Sequence, residues 1–127
     1  MAKSEELPIY RDTLDLLDRL LTLTKNFPRF YRYGMGQRMV DLNIEMLALV
    51  YKANRSYEKL GPISELADNL HMLQMLFRLS VRHHVITEGQ YASVVGFIDR
   101  IGRQCTGWRR HYERPPSAPQ PAGVPPV

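Results

Sequence analysis

Apolar residues recur along the chain at alternating spacings of three and four positions, in four successive windows. The windows are Tyr10, Leu14, Leu17, Leu21, Thr24; Met35, Met39, Leu42, Met46, Leu49, Ala53; Ile63, Leu66, Leu70, Leu73, Phe77, Ser80, His84; and Tyr91, Val94, Ile98, Ile101, Cys105, Trp108, Tyr112. This spacing places residues on one face of an α-helix. Additional apolar residues widen each face, which favours a helical bundle over a two-stranded coiled coil.

Turn signals separate the four windows. Asn26-Phe27-Pro28 follows the first window, Lys59-Leu60-Gly61-Pro62 follows the second, and Val85-Ile86-Thr87-Glu88-Gly89 precedes the fourth. Thr87 is suited to capping the fourth helix, and Pro62 suits a first helical turn. Because short connections make neighbouring helices antiparallel, the pattern predicts an all-α, up-down-up-down antiparallel four-helix bundle.

Composition divides the 127 residues into two parts. Most of the nine prolines fall in residues 115–127, a segment that contains no charged or aromatic residue. Such a segment cannot offset the entropy lost on ordering. We therefore expect one folded domain, the bundle of residues 1–114, and a disordered proline-rich C-terminal tail of residues 115–127.

The charge balance favours an acidic partner. Seventeen basic residues, mostly arginine, exceed thirteen acidic ones, for a net charge of +4. The planar guanidinium of arginine binds phosphate and carboxylate groups well. Because the sequence has no long apolar run and no signal-type segment, we expect a cytoplasmic protein that makes no membrane contact. The single cysteine excludes an intramolecular disulfide and any zinc site built from several cysteines.

Residues 25–38 form the densest basic segment, with four positive charges, four aromatic residues and no acid. Arginines beside aromatic rings offer contacts to phosphates and to unpaired bases. In the alternative interpretation, Phe27 and Phe30 close the end of the bundle and the arginines are only solvated. An antiparallel bundle would bring Arg78 and Arg82 to this segment. The candidate nucleic-acid-binding residues are Arg29, Arg32, Arg38, Arg78, Arg82, Arg100, Arg103, Arg109 and Arg110.

Evidence for catalysis is weak in the sequence. Cys105 lies in the apolar window of the fourth helix, and His71 with Met75 lacks an acidic partner at ligand spacing, so we predict no metal and no cofactor. Arg78 and His83 reproduce the Arg-x4-His spacing of HEPN-type ribonucleases, although Leu79 stands where that family usually has a polar residue. A ribonuclease therefore remains an alternative.

A second alternative is a scaffold whose role is to form oligomers and hold protein partners. Ile44, Leu47, Tyr51 and Val95 are apolar residues beyond the four windows that suit an interface, although they suit an ordinary core equally well.

Several short motifs follow one another in a recognisable order. They are Phe27-Pro28-Arg29, Tyr31-Arg32 and Gly36-x-Arg38, then Leu73-x-x-Leu76-x-Arg78-Leu79, then Tyr91 and Ile101-Gly102-x-x-x-x-Gly107-Trp108. Over residues 7–112 this order resembles the accessory variability determinant (Avd) proteins of diversity-generating retroelements. Related four-helix proteins encoded in ribosomal-RNA intervening sequences usually carry Asn-Ile-Ala-Glu-Gly, whereas this chain has Asn43-Ile44-Glu45-Met46, which favours the Avd branch. The proline-rich tail is not part of the family pattern.

The resemblance implies a four-helix protomer that assembles into a pentameric barrel with basic surfaces. It also implies a non-catalytic accessory protein that binds the reverse transcriptase of the retroelement and its template RNA during mutagenic, adenine-directed cDNA synthesis and retrohoming. Arg29, Arg32, Arg38 and Arg78 match family positions, whereas the other candidate arginines follow from charge placement alone. The preference between RNA and DNA stays open, as does the scaffold role typical of the intervening-sequence proteins.

Overall fold

The computed structural model describes residues 3–113, and within them the chain is helical without any strand. The α-helices are α1 (Pro8–Lys25), α2 (Arg29–Tyr31), α3 (Gln37–Arg55), α4 (Leu60–Arg82) and α5 (Glu88–Tyr112). A short 3-10 helix, Ser4–Glu6, precedes α1, and a π-helical turn, Arg32–Gly36, joins α2 to α3. The prediction of an all-α fold with four long helices is confirmed. The predicted proline-rich tail lies outside the described residues.

The core lies between the four long helices. α1 packs against α3 and α5, and α4 packs against the same two helices. Three of the four predicted windows supply buried residues as expected, except that His84 and Tyr112, the last members of two of them, are exposed. The buried residues are Met39, Leu42, Met46, Leu49 and Ala53 of α3, Ile63, Leu66, Leu70, Leu73, Phe77 and Ser80 of α4, and Val94, Ile98, Ile101 and Cys105 of α5.

The window predicted for the first helix is wrong except at Thr24, which is buried. Leu14 and Leu21 are 47% and 49% exposed, and the other buried residues of α1 are Ile9, Thr13, Leu16, Leu20 and Leu23. Thr13 makes this face look polar in the sequence, but its hydroxyl donates to the Ile9 carbonyl at 2.7 Å. A threonine satisfied within its own helix can be buried. The Asn43 side chain then donates to the Thr13 carbonyl at 3.1 Å, which fixes this face against α3.

Side chains satisfy backbone groups at several helix ends. Thr87 and Gln90 form a reciprocal capping box at the start of α5, with bonds of 3.0 and 2.9 Å, which confirms the predicted cap. The Lys59 ammonium donates to the Ala53 and Asn54 carbonyls at the end of α3. After α4, His84 adopts a left-handed conformation with a φ of 59°. These caps define where the helices end.

Contacts between helix ends define two poles of the molecule. The Ser80 hydroxyl lies 3.6 Å from the Met35 sulfur and 3.8 Å from the Met39 sulfur, so the end of α4 adjoins the π turn and the start of α3. At the other pole, the Lys59 ammonium lies 5.6 Å from the centre of the Tyr112 ring, so the end of α5 adjoins the loop that follows α3.

Candidate nucleic-acid interface

A π-helical turn shapes the connection between the first two long helices. The Gln37 amide donates to the Arg32 carbonyl, five residues earlier. Gly36 lies inside this turn, and a Cβ atom there would stand 3.2 Å from the Phe27 ring and 3.3 Å from the Tyr31 carbonyl. Phe27 is only 2% exposed. The glycine therefore allows the Phe27 ring to pack closely against the turn and to close this end of the core.

The four aromatic residues of the basic segment have different environments. Phe27 is buried, and Tyr31 is half-buried with its ring 6.1 Å from the His83 ring. Phe30 and Tyr33 are 85% and 72% exposed. The interpretation that Phe27 and Phe30 both close the bundle is thus confirmed for Phe27 and wrong for Phe30.

Five of the candidate arginines gather at one pole of the molecule. We call residues 29–38 and 78–84 the junction pole, because the contacts of Tyr31 with His83 and of Met35 with Ser80 join these two segments. The junction pole contains Arg29, Arg32, Arg38, Arg78 and Arg82 and no acidic residue. A concentration of one charge sign attracts ligands of the opposite sign.

The arginines of the junction pole differ in how far they are committed to contacts within the protein. The side chains of Arg29, Arg38 and Arg82 are exposed and have no ion pair or hydrogen bond within residues 3–113. Arg32 donates to the Lys25 and Phe27 carbonyls, both at 3.3 Å, and so ties the end of α1 to the π turn. The Arg78 Nε lies 3.5 Å from the Tyr91 hydroxyl. Three arginines are therefore fully available to a ligand.

The other four candidate arginines lie along α5, away from the junction pole. The Arg100 Nε lies 3.3 Å from an Asp12 carboxylate oxygen, and the Arg109 Nε lies 3.3 Å from a Glu113 carboxylate oxygen. Arg103 and Arg110 are exposed. Since the rise of an α-helix is about 1.5 Å per residue, Arg110 lies roughly 28 Å along α5 from Tyr91. The four candidates of α5 thus do not belong to the junction pole.

Arg78 and His83, the pair with the spacing of HEPN-type ribonucleases, contact different neighbours. Arg78 contacts Tyr91 of α5, whereas the His83 ring contacts Tyr31 of α2. Burial raises the pKa of the Cys105 thiol to about 11, against a smaller lowering by Arg109, so the thiol stays protonated near neutral pH. Residues 3–113 contain no cluster of three or more His, Cys, Asp or Glu side chains that could hold a metal.

Two partly exposed apolar surfaces lie on the helices, and of their residues only Ile44 and Leu47 were among the interface candidates expected from the sequence. We call Leu14, Leu17 and Leu21 of α1, with Ile44 and Leu47 of the neighbouring α3, the α1–α3 face; Leu14, Leu21 and Ile44 are 47%, 49% and 51% exposed, and Leu17 and Leu47 are half-buried. The α4 face consists of Met72, Met75 and Leu79, which are 47%, 43% and 41% exposed. The signal was present in α1, where two apolar stripes lie side by side and only one of them fits in the core. No helix within the described residues is both long and apolar enough to cross a membrane.

The fold and the site together define a small helical-bundle protein with a basic, aromatic pole. The family model described as bAvd-like matches residues 8–112, and the chain therefore belongs to the bAvd-like family. This membership confirms the resemblance noted from the motifs and indicates an accessory protein of a diversity-generating retroelement, in a family that is generally non-catalytic. No curated protein matches the chain.

Proposed function

We propose that this protein is the non-catalytic accessory subunit of a diversity-generating retroelement, and that it binds the template RNA and the reverse transcriptase during mutagenic cDNA synthesis and retrohoming in the cytoplasm. Family membership supports the retroelement context. The observation that carries RNA binding is the junction pole, whose two segments contain five arginines and two exposed aromatic rings and no acidic residue.

RNA binding is tested by the triple variant Arg29→Gln, Arg38→Gln, Arg82→Gln. These side chains have no partner within residues 3–113, so their loss leaves the fold intact. The matched control is Arg11→Gln, Arg19→Gln, Lys52→Gln, which removes the same number of charges from exposed positions elsewhere.

The readout is RNA affinity measured over a range of salt concentrations. Each lost phosphate contact lowers the slope of log affinity against log salt by about 0.7 for a single strand, so the junction variant should lose about 2 in slope and at least about ten-fold in affinity. The control should keep most of both. Equal losses in the two variants would contradict a site at the junction pole, because they would show that only net charge matters.

Binding of the reverse transcriptase is tested by co-purification with the enzyme from the same retroelement. We expect a complex that persists after ribonuclease treatment, and that the junction variant still joins, because its apolar surfaces are unchanged. A complex that disappears with the RNA would contradict direct contact between the two proteins.

A ring of five protomers needs two different complementary surfaces on each protomer, because a cyclic assembly above a dimer uses head-to-tail contacts. The α1–α3 face and the α4 face provide two such surfaces. We infer that these two faces meet in the assembly. We also infer that the long helices of each protomer run up-down-up-down. The end of α4 contacts Met35 of the π turn and Tyr91 of α5, and these contacts support the up-down-up-down topology.

The assembly is tested by light scattering. The wild-type protein should show five times the chain mass of 14.7 kDa. Ile44→Asp and Met72→Asp should each dissociate it, because each places a charge in an apolar contact, whereas Ser64→Asp on an exposed part of α4 should not. An unchanged mass in both interface variants would contradict the assignment of these faces.

A further inference from the structure

Phe30 and Tyr33 are the most exposed aromatic residues of the junction pole, and they therefore contribute little to the stability of the fold. Phe30 is 85% exposed, and its ring makes an edge contact with Tyr31 at 5.1 Å between centroids. Tyr33 is 72% exposed. Single exposed apolar residues are ordinary on protein surfaces. What distinguishes this pair is its setting between arginines, in a segment without acidic residues.

The two rings lie three residues apart on adjoining helical segments. Phe30 belongs to α2 and Tyr33 to the π turn that continues it. Both side chains are exposed, so each ring has a face open to a ligand. Arg29 precedes the first ring, and the exposed side chains of Arg38 and Arg82 belong to the same pole. Exposed aromatic rings and exposed arginines thus belong to the same pole.

We propose that the junction pole binds single-stranded nucleic acid, with unpaired bases stacked on Phe30 and Tyr33 and the flanking phosphates bound by Arg29, Arg38 and Arg82. The proposal rests on the proposed function and specifies its ligand. In a duplex the bases stack on each other and their faces are closed to protein side chains, whereas unpaired bases present a face that any aromatic ring can stack on.

A protein partner fits this surface less well. An apolar protein surface over Phe30 and Tyr33 would remove the neighbouring arginines from water without pairing them, which is unfavourable. Single-stranded nucleic acid satisfies both kinds of side chain, because its bases can stack on the aromatic rings while its phosphates pair with the arginines. The composition of the pole therefore favours a nucleic acid.

The test measures the affinity of the full chain for a labelled single-stranded RNA and for an RNA duplex of the same length. The double variant Phe30→Ala, Tyr33→Ala should lose about ten-fold or more in affinity for the single strand and little for the duplex. Its salt slope should stay that of the wild type, because no phosphate contact is lost. Phe30→Tyr with Tyr33→Phe keeps both rings and should bind normally.

Tyr57→Ala is the matched control, because Tyr57 is fully exposed in the loop between α3 and α4, away from the junction pole. It should change neither affinity. Circular dichroism should show equal helicity and only small differences in melting temperature for all variants, since the replaced rings are exposed.

Three results would overturn the proposal. If the double variant binds the single strand as the wild type does, nucleic-acid binding stands and stacking is wrong. If it keeps RNA binding and loses the reverse transcriptase, the two rings are a protein contact. If the wild type binds no nucleic acid, the proposed function fails together with this proposal.

Discussion

Phe27 and Phe30 lie three residues apart, and the structure predicts opposite consequences when each is replaced by alanine. Phe27 is 2% exposed and packs on Gly36 of the π turn. Truncation of a buried phenylalanine to alanine removes about 3–5 kcal/mol of stability, because apolar burial is lost and a cavity remains. We expect Phe27→Ala to lower the free energy of unfolding by this amount, which is a large part of the about 5–15 kcal/mol typical of a domain.

Phe30→Ala should have a small effect on the same quantity. Since Phe30 is 85% exposed, the covered part of its side chain is about 30 Å² of about 200 Å². At about 25 cal/mol per Å², this area corresponds to about 0.8 kcal/mol, and the true value is smaller because alanine keeps part of the contact. The two substitutions should therefore differ by at least about 2 kcal/mol.

Urea unfolding followed by the helical circular dichroism signal measures both values. All samples need the same protein concentration, because self-association stabilises the folded state by mass action. If Phe30→Ala destabilises the protein as much as Phe27→Ala, then Phe30 packs within the fold and its ring is not available to a ligand. That outcome would contradict the assignment of Phe27 to the core and of Phe30 to the exposed surface of the junction pole.

Three further predictions concern single residues. His84→Gly should raise the free energy of unfolding by about 1 kcal/mol in urea, because a φ of 59° strains a residue with a side chain and suits glycine; a decrease would show that the imidazole makes a stabilising contact. Thr87→Ala should lower it by about 1 kcal/mol through loss of the capping box at α5, whereas Thr87→Ser should not; equal losses would contradict the cap. Burial raises the pKa of the Cys105 thiol from 9.0 to about 11, so the unfolded chain loses this proton first as the pH rises. The stability of the wild type relative to Cys105→Ala should be constant below about pH 9 and then fall by about 1.4 kcal/mol per pH unit up to about pH 11; parallel pH profiles of the two proteins would contradict the burial of the thiol.

Helical periodicity was sufficient to predict the buried faces of α3, α4 and α5, because each of these helices has one dominant apolar face. In α1 the periodicity was ambiguous. Its two apolar stripes are equally helical in spacing, and the choice between them depends on Thr13 and Asn43, whose hydrogen bonds make a polar-looking face compatible with burial. A threonine that bonds within its own helix cannot be distinguished from a solvated one by sequence alone.

The candidate site was predictable in its composition and less so in its geometry. The concentration of arginines and aromatic residues in residues 25–38 is a property of the sequence. The hydrogen bonds of Arg32 to the Lys25 and Phe27 carbonyls depend on the course of the π turn, and the ion pair of Arg100 with Asp12 depends on which helices become neighbours. Arg100 and Asp12 are 88 positions apart, so no local pattern reveals their pairing.

The sequence by itself determined that the chain is helical, where most of its helices begin and end, and that its excess positive charge lies largely outside the first helix. These properties follow from local spacing, capping chemistry and charge, which neighbouring residues carry with them. Only the tertiary structure decided that Phe27 is buried while Phe30 and Tyr33 are exposed, and that Leu14 and Leu21 lie outside the core. The physical reason is that a side chain is buried by residues distant in the chain. The core between the four helices can enclose only one apolar stripe of each helix. The π turn determines which aromatic rings of the junction pole remain in solvent.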